Sequence, residues 1–153
     1  MSQSEYLTFL ERKAVRPQAT GLSQVPELAA HLFPFQRECV AFGLRQGRWG
    51  CYLNTGLGKT AVQLEWAHHA AAASNGRALI LTPLAVARQI EAEGRRWGYD
   101  IRVIRSQADA GDGINVCNYD RIHLLEPAAF GAVALDEASI LKNFSGQIGR
   151  AHV

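Results

Sequence analysis

The chain has 153 residues, 48% of them hydrophobic and 20% charged, and a formal net charge of +2. That length suits one domain of the usual ~100–200 residues, leaves no room for two large ones, and suffices to bury about 68–70% of the unfolded surface without a disulfide or metal staple. The hydrophobic content argues against disorder, and so small a positive charge permits nucleic-acid binding without arguing for it. Cys39, Cys51 and Cys117 are odd in number and widely spaced. They offer neither a disulfide framework nor a zinc site, and they suit thiols in a reducing compartment. No apolar run approaches the ~20 residues of a membrane span, and the N-terminus lacks the apolar core of a signal peptide. The expected location is the cytoplasm, with no membrane partner.

In chain order, Ser4 is placed to cap a short helix with Tyr6, Phe9 and Leu10 on one face. Pro17, Gly21 and Pro26 then punctuate a loop leading to Leu32. From Phe35 to about Gln46 the apolar spacing is helical, and Gly47 is a plausible stop. Gly50–Leu53 reads as a strand, followed by a Gly-rich turn and a helix from Lys59 to about Ala73. Asn75-Gly76 ends that helix, and Ala78–Leu81 reads as a second strand. Pro83 suits the first turn of a helix that continues to Trp97 and stops at Gly98. Ile101–Ile104, Ile114–Cys117 and Phe130–Leu135 read as further strands. Strands alternating with helices predict an α/β domain with a mostly parallel sheet covered by helices on both faces.

Asn54-Thr55-Gly56-Leu57-Gly58-Lys59-Thr60 lies between a predicted strand and a predicted helix. Small residues there let backbone N–H groups turn inward around phosphate oxygens, with the helix N-terminus adding a favourable dipole. Lys59 would reach the β- and γ-phosphates, and the Thr60 hydroxyl would coordinate Mg²⁺. The strict P-loop pattern wants Gly where Leu53 stands, but the shorter GxGKT core is complete. The competing reading is an ordinary Gly-rich turn carrying a surface lysine. Asp136-Glu137 follows the apolar run Phe130–Leu135, 77 residues after Lys59. In a P-loop ATPase an Asp at a strand end holds Mg²⁺, and the adjacent Glu can act as general base on the attacking water. Acidic pairs also cap helices or face solvent, so the pair gains weight from its place in the order of strands.

Together these segments resemble the N-terminal RecA-like, ATP-binding domain of a superfamily-two helicase of the DEAD/DEAH-box kind. The likeness is strongest to the Swi/Snf-type branch and its short phage-encoded relatives. Leu32-Phe33-Pro34-Phe35-Gln36, 23 residues before Lys59 at its Gln, resembles the upstream motif whose Gln reads adenine. Thr55–Thr60 matches motif I, so Thr55, Gly56, Leu57, Gly58, Lys59 and Thr60 are the implied nucleotide-binding residues. Leu81-Thr82-Pro83-Leu84 resembles motif Ia, which implies that Thr82 and Pro83 touch the nucleic-acid backbone. Asn118-Tyr119-Asp120 resembles the segment preceding motif II. Asp136–Ser139 with Leu141-Lys142-Asn143 resembles motif II itself, with Ser139 where His is common. The resemblance implies a RecA-like P-loop NTPase fold, ATP and Mg²⁺ as ligands, Lys59, Asp136 and Glu137 as catalytic residues, and Thr60 and Asp136 as the metal-holding pair.

Several of these roles have competitors. Gln36 can cap its helix or read adenine, whose N6 and N7 edge suits an amide. Phe35 can pack against the base or sit in the core. Thr82 can meet a phosphate or cap the helix after it. Arg88, Arg95 and Arg96 fit a solvated helix face, and Trp49, Trp66 and Trp97 fall where packing explains them. His68 and His69 diverge around a helix and make no metal pair.

The implied division is residues 1–30 as an appendage, 31–147 as the ATP-binding domain, incomplete at its C-terminal end, and 148–153 as a non-native tail. Ile148–Val153 looks like one reading frame of a sequencing adapter. The family's motif III and second RecA-like domain, which brings an arginine finger worth roughly 10³–10⁵ in rate, have no counterpart after motif II. The resemblance therefore implies a nucleic-acid partner, with DNA the expected track, in a bacterial or phage-infected cell. It also implies weak Mg-ATP binding, poor hydrolysis and no movement by this chain alone. Another P-loop NTPase, or a nucleic-acid or protein-binding module with a relic ATP site, are the alternatives.

Overall fold

The computed structural model describes residues 18–137. The expected helix around Tyr6, the residues Ser139 to Asn143 and the tail 148–153 lie outside the described residues. Among the described residues three α-helices and four strands follow one another: α1 (Pro34–Gln46), α2 (Lys59–Ala72), β1 (Arg77–Thr82), α3 (Leu84–Arg96), β2 (Ile101–Val103), β3 (Gly113–Asn118) and β4 (Ala132–Leu135). Short 3-10 turns lie at Gln107–Asp109, Tyr119–Leu124 and Pro127–Ala129.

The strands form one sheet in the order β2-β3-β1-β4, and all three pairings are parallel. β1 is central. Its residues from Ala78 to Thr82 are all buried, as expected of a strand covered on both faces. The period-2 alternation of strand side chains divides the core. Ala78 and Ile80 of β1 with Ile114 and Val116 of β3 meet Leu64, Ala67 and Ala71 of α2 and Ala87 and Ile90 of α3. On the opposite face Leu79, Leu81 and Cys117 pack under Tyr119, Leu125 and Phe130. Thus α-helices cover one face, while 3-10 turns and loop cover the other. Burial raises the pKa of the Cys117 thiol, so it sits as a small apolar group rather than a reactive one.

α1 packs on the outer side of α2. Val40 and Leu44 meet Ala61 and Val62, with Leu32 closing the cluster. Gly43 of α1 lies under Trp49, where an added Cβ would come within 2.1 Å of the indole.

The expected strand at Gly50–Leu53 does not form; residues 49–54 are coil, unpaired with any strand among the described residues. A strand needs a ladder partner for its N–H and C=O groups. Among the described residues the sheet ends at β4, and a cleft of about 980 Å³ lies between that edge and the 47–54 segment. Of the two readings open for Thr82, the helix cap is not realised: the N-cap of α3 is Pro83 and no side chain caps it. Among the described residues, no helix is long and apolar enough to cross a membrane.

Candidate nucleotide site

The Gly-rich turn follows the unpaired 49–54 segment and feeds directly into α2. Gly56 and Gly58 both take positive φ, 84° and 71°, a region in which a Cβ is disfavoured. Gly58 is the N-cap of α2 and supplies no side chain to the helix's first turn. The Lys59 and Thr60 N–H groups, with the positive end of a 14-residue helix, therefore remain available to an anion, whereas the Ala61 N–H donates to the Gly58 carbonyl at 3.0 Å. Thr55, Gly56, Leu57, Gly58 and Lys59 are all solvent-exposed, and Thr60 is half-buried.

Gln36 secures this turn from α1. It is buried, with 4% of its surface exposed. Its Oε1 accepts the Phe33 N–H at 2.9 Å, and its Nε2 donates to the Leu57 carbonyl at 3.0 Å. One end of the amide caps α1 and the other end holds the Gly-rich turn. The approach is close enough that a Cβ on Gly58 would lie 2.4 Å from Gln36 Nε2. Phe33 and Phe35 flank Gln36 with their rings parallel and 6.2 Å apart. They are 64% and 41% exposed, so Phe35 is not a core residue.

Asp136 and Glu137 stand at the C-terminal end of β4 and line the same cleft as Asn54 and Lys59. The structure thus brings Lys59 together with the two carboxylates across the open edge of the sheet, whereas Thr55 to Gly58, Thr60, Phe35 and Gln36 are not among the residues that line this cleft. Asp136 continues the β1 ladder, donating its N–H to the Leu81 carbonyl at 2.8 Å. Glu137 is exposed and takes a left-handed φ of 53°, alone among the described non-glycine residues. A conformation of that kind costs about 1–3 kcal/mol and persists only where neighbours enforce it.

Thr82 is not where a nucleic-acid contact would place it. Its side chain is fully buried, and its hydroxyl donates to Asp136 Oδ2 at 2.9 Å. Pro83 is half-buried, and Leu84 beyond it is 70% exposed. Arg88 and Arg95 both pair with Glu91 of α3, at 3.6 and 3.0 Å, which suits a solvated helix face.

A second buried polar cluster escaped sequence reasoning. Glu65 of α2 is 1% exposed. It accepts hydrogen bonds from the Ala29 N–H at 2.7 Å, from His69 Nε2 at 3.0 Å and from the Tyr99 phenol. Burial by itself would push the Glu65 carboxyl up, but these donors outweigh it and hold the pKa at about 2. His31 stacks on Trp97 with centroids 5.0 Å apart, and His68 lies against Tyr99. The cluster ties the segment leading to Gln36 onto α2. The i,i+4 spacing of Glu65 and His69 was the one available sign of it.

The residues present fit a magnesium nucleotide. Among the described residues, no three His, Cys, Asp or Glu side chains gather to hold a metal ion. Mg²⁺ needs no such cage, since it is commonly bound by one or two carboxylates together with substrate phosphates and water. Asp136 Oδ1 has no partner among the described residues, and Lys59 and the helix N-terminus share its cleft.

Two solved structures have the same architecture. The SWI2/SNF2 ATPase core of Sulfolobus solfataricus, solved in complex with dsDNA, superposes with a TM-score of 0.66 at 21% identity over 84% of this chain. The fold is the RecA-like α/β fold with a parallel sheet. The UvsW helicase of bacteriophage T4 matches with a TM-score of 0.61 at 19% identity over 92% of the chain. The chain spans 31% of the first structure's length and 52% of the second's. No protein-family model and no curated protein matches it. Identities this low establish the RecA-like fold and leave the chemistry to the residues themselves.

Proposed function

We propose that this chain is the ATP-binding lobe of a nucleic-acid-dependent ATPase, a DNA helicase or translocase that couples hydrolysis to movement on DNA only with a second RecA-like domain. The observation that supports it best is the shared cleft. Lys59, at the start of α2, and the Asp136-Glu137 pair, at the end of β4, line one cavity although 77 residues separate Lys59 from Asp136. The folds of a SWI2/SNF2 ATPase core and a phage helicase agree with this reading.

In this reading the Lys59 and Thr60 N–H groups at the start of α2 and the Lys59 ammonium bind the phosphates, where charge-assisted hydrogen bonds are strongest. The Thr60 hydroxyl and Asp136 would hold Mg²⁺. Bound Mg²⁺ would neutralise charge on the β- and γ-phosphate oxygens. Glu137, exposed in the cleft, orients the attacking water and takes its proton. Gln36 already contacts the phosphate-binding turn through Leu57, and with Phe35 beside it forms the adenine end of the site. Pro83, following the buried Thr82, remains the candidate nucleic-acid contact.

A binding assay with labelled single- and double-stranded DNA, with and without Mg-ATP, tests the coupling. DNA affinity that changes with nucleotide in the wild type and not in Lys59→Ala supports the reading. DNA affinity indifferent to both favours a binding module with a relic ATP site.

A further inference from the structure

Asp136 is held at three separate atoms. Its N–H donates to the Leu81 carbonyl at 2.8 Å, its Oδ2 accepts the Thr82 hydroxyl at 2.9 Å, and its carbonyl accepts the Tyr119 phenol at 2.6 Å. The first contact is ordinary ladder bonding between parallel strands. The other two come from side chains that packing does not demand. Thr82 is 0% exposed in the central strand, where Val would fill the same space without a polar atom to satisfy. Tyr119 is 4% exposed and packs under β1 and β3, where Phe would serve equally well. A buried hydroxyl costs free energy unless it is hydrogen-bonded, and both hydroxyls spend their hydrogen bond on the same residue.

The consequence for Asp136 is geometric. Thr82 takes Oδ2 and leaves Oδ1 without a partner among the described residues. Tyr119 fixes the peptide that joins Asp136 to Glu137, the residue held at a φ of 53°. The two donors arrive from different places, the end of β1 and the turn after β3. They fix the carboxylate's rotation and the chain's direction independently.

We propose that Thr82 and Tyr119 are positioning residues that hold Asp136 in the orientation that takes Mg²⁺, an inference that rests on the nucleotide-site reading above. Thr82 thereby joins the strand that leads to the candidate nucleic-acid contact, Pro83, to the metal-holding carboxylate by a single hydrogen bond. Its role lies inside the ATP site rather than on the nucleic acid.

The test is a Mg²⁺ titration of a fluorescent ADP analogue bound to the full chain, paired with the analogue's affinity in EDTA. Loss of a partner that orients a metal ligand typically costs 10–100-fold in metal affinity. Thr82→Val is therefore expected to raise the half-saturating Mg²⁺ concentration about 10-fold or more, while Thr82→Ser stays near wild type. Tyr119→Phe, which keeps the ring's packing, is expected to raise it roughly 2–10-fold, the worth of one hydrogen bond. The EDTA affinity is expected to be unchanged in all three. An unchanged Mg²⁺ midpoint in Thr82→Val and Tyr119→Phe overturns the proposal. So does an EDTA affinity that falls in parallel with the midpoint, since that is general damage to the site, or a Thr82→Ser as impaired as Thr82→Val. Wild-type binding that survives Lys59→Ala overturns instead the reading on which the proposal rests.

Discussion

Replacing Glu65 by Gln removes a buried carboxylate to which three donors converge: the Ala29 N–H, His69 Nε2 and the Tyr99 phenol. The Gln amide keeps one acceptor oxygen and brings two donors of its own, so at least one of these partners is left unsatisfied. The size of the effect follows from linkage. The Glu65 pKa lies at about 2 in the folded protein against an ordinary value of 4.5. Each unit is worth about 1.4 kcal/mol, so the ionised carboxylate contributes roughly 3 kcal/mol of stability at neutral pH. Because the folded value is depressed, that contribution is complete above about pH 4.5. It is lost as pH falls towards 2, with roughly 2 kcal/mol already gone at pH 3. Urea unfolding of wild type and Glu65→Gln at a series of pH values between 7 and 3 reads this directly. The expected result is a wild-type advantage of about 3 kcal/mol at pH 7 that shrinks to about 1 at pH 3. Using the difference between the two proteins cancels the other carboxylates, which titrate in both. An advantage that stays constant with pH, or grows as pH falls, refutes the claim that this carboxylate is held ionised by its donors.

Two further outcomes bear on the nucleotide site. Glu137→Gln is expected to leave Mg-ATP affinity unchanged while lowering the steady-state hydrolysis rate by about 10²–10⁴-fold, the usual worth of a general base; a phosphate-release assay alongside a binding titration separates the two. Gly58→Ala must place a Cβ at a φ of 71° and 2.4 Å from Gln36 Nε2. It is expected to cost about 1–3 kcal/mol in thermal unfolding and to weaken nucleotide binding, whereas a variant that matches wild type in both measurements would mean that the turn does not need this conformation.

Most of the fold was legible because its signals are local. Helical spacing from Gln36 to Leu44 and from Val86 to Trp97, and continuous apolar runs such as Ala78–Leu81, fixed the type of each element to within a residue or two of its observed ends. The error at Gly50–Leu53 is of another kind. Its residues suit a strand, but strand formation depends on a partner edge that no local pattern reports, and here β4 lies across the cleft. The Gly-rich turn and Asp136-Glu137 were legible as motifs, and the fold brings Lys59 and the two carboxylates to one cavity.

What sequence could not supply was the pairing of distant polar groups. Thr82 offered two readings, a phosphate contact or a helix cap. Its inward register on β1 made it a partner of Asp136, 54 residues away. Tyr119 was singled out only as part of a segment preceding motif II, yet its hydroxyl meets the Asp136 backbone. Burial is the first reason that the Tyr119 phenol is pushed up to about 12, with the negative charges of Asp136 and Glu137 adding to it. It therefore remains a donor at any ordinary pH. The Glu65 cluster joins residues 29, 65, 69 and 99, and only the helical Glu65–His69 step was visible in advance.

The start of α2 at Lys59 and Thr60 and the carboxylates at 136–137 are proposed to form one magnesium-nucleotide site. Calorimetric titration of Mg-ATP into wild type and Lys59→Ala, each checked for an unchanged unfolding temperature, tests it most directly. The account predicts saturable, Mg²⁺-dependent binding that is lost in Lys59→Ala. Equal affinity in the two folded proteins would contradict it.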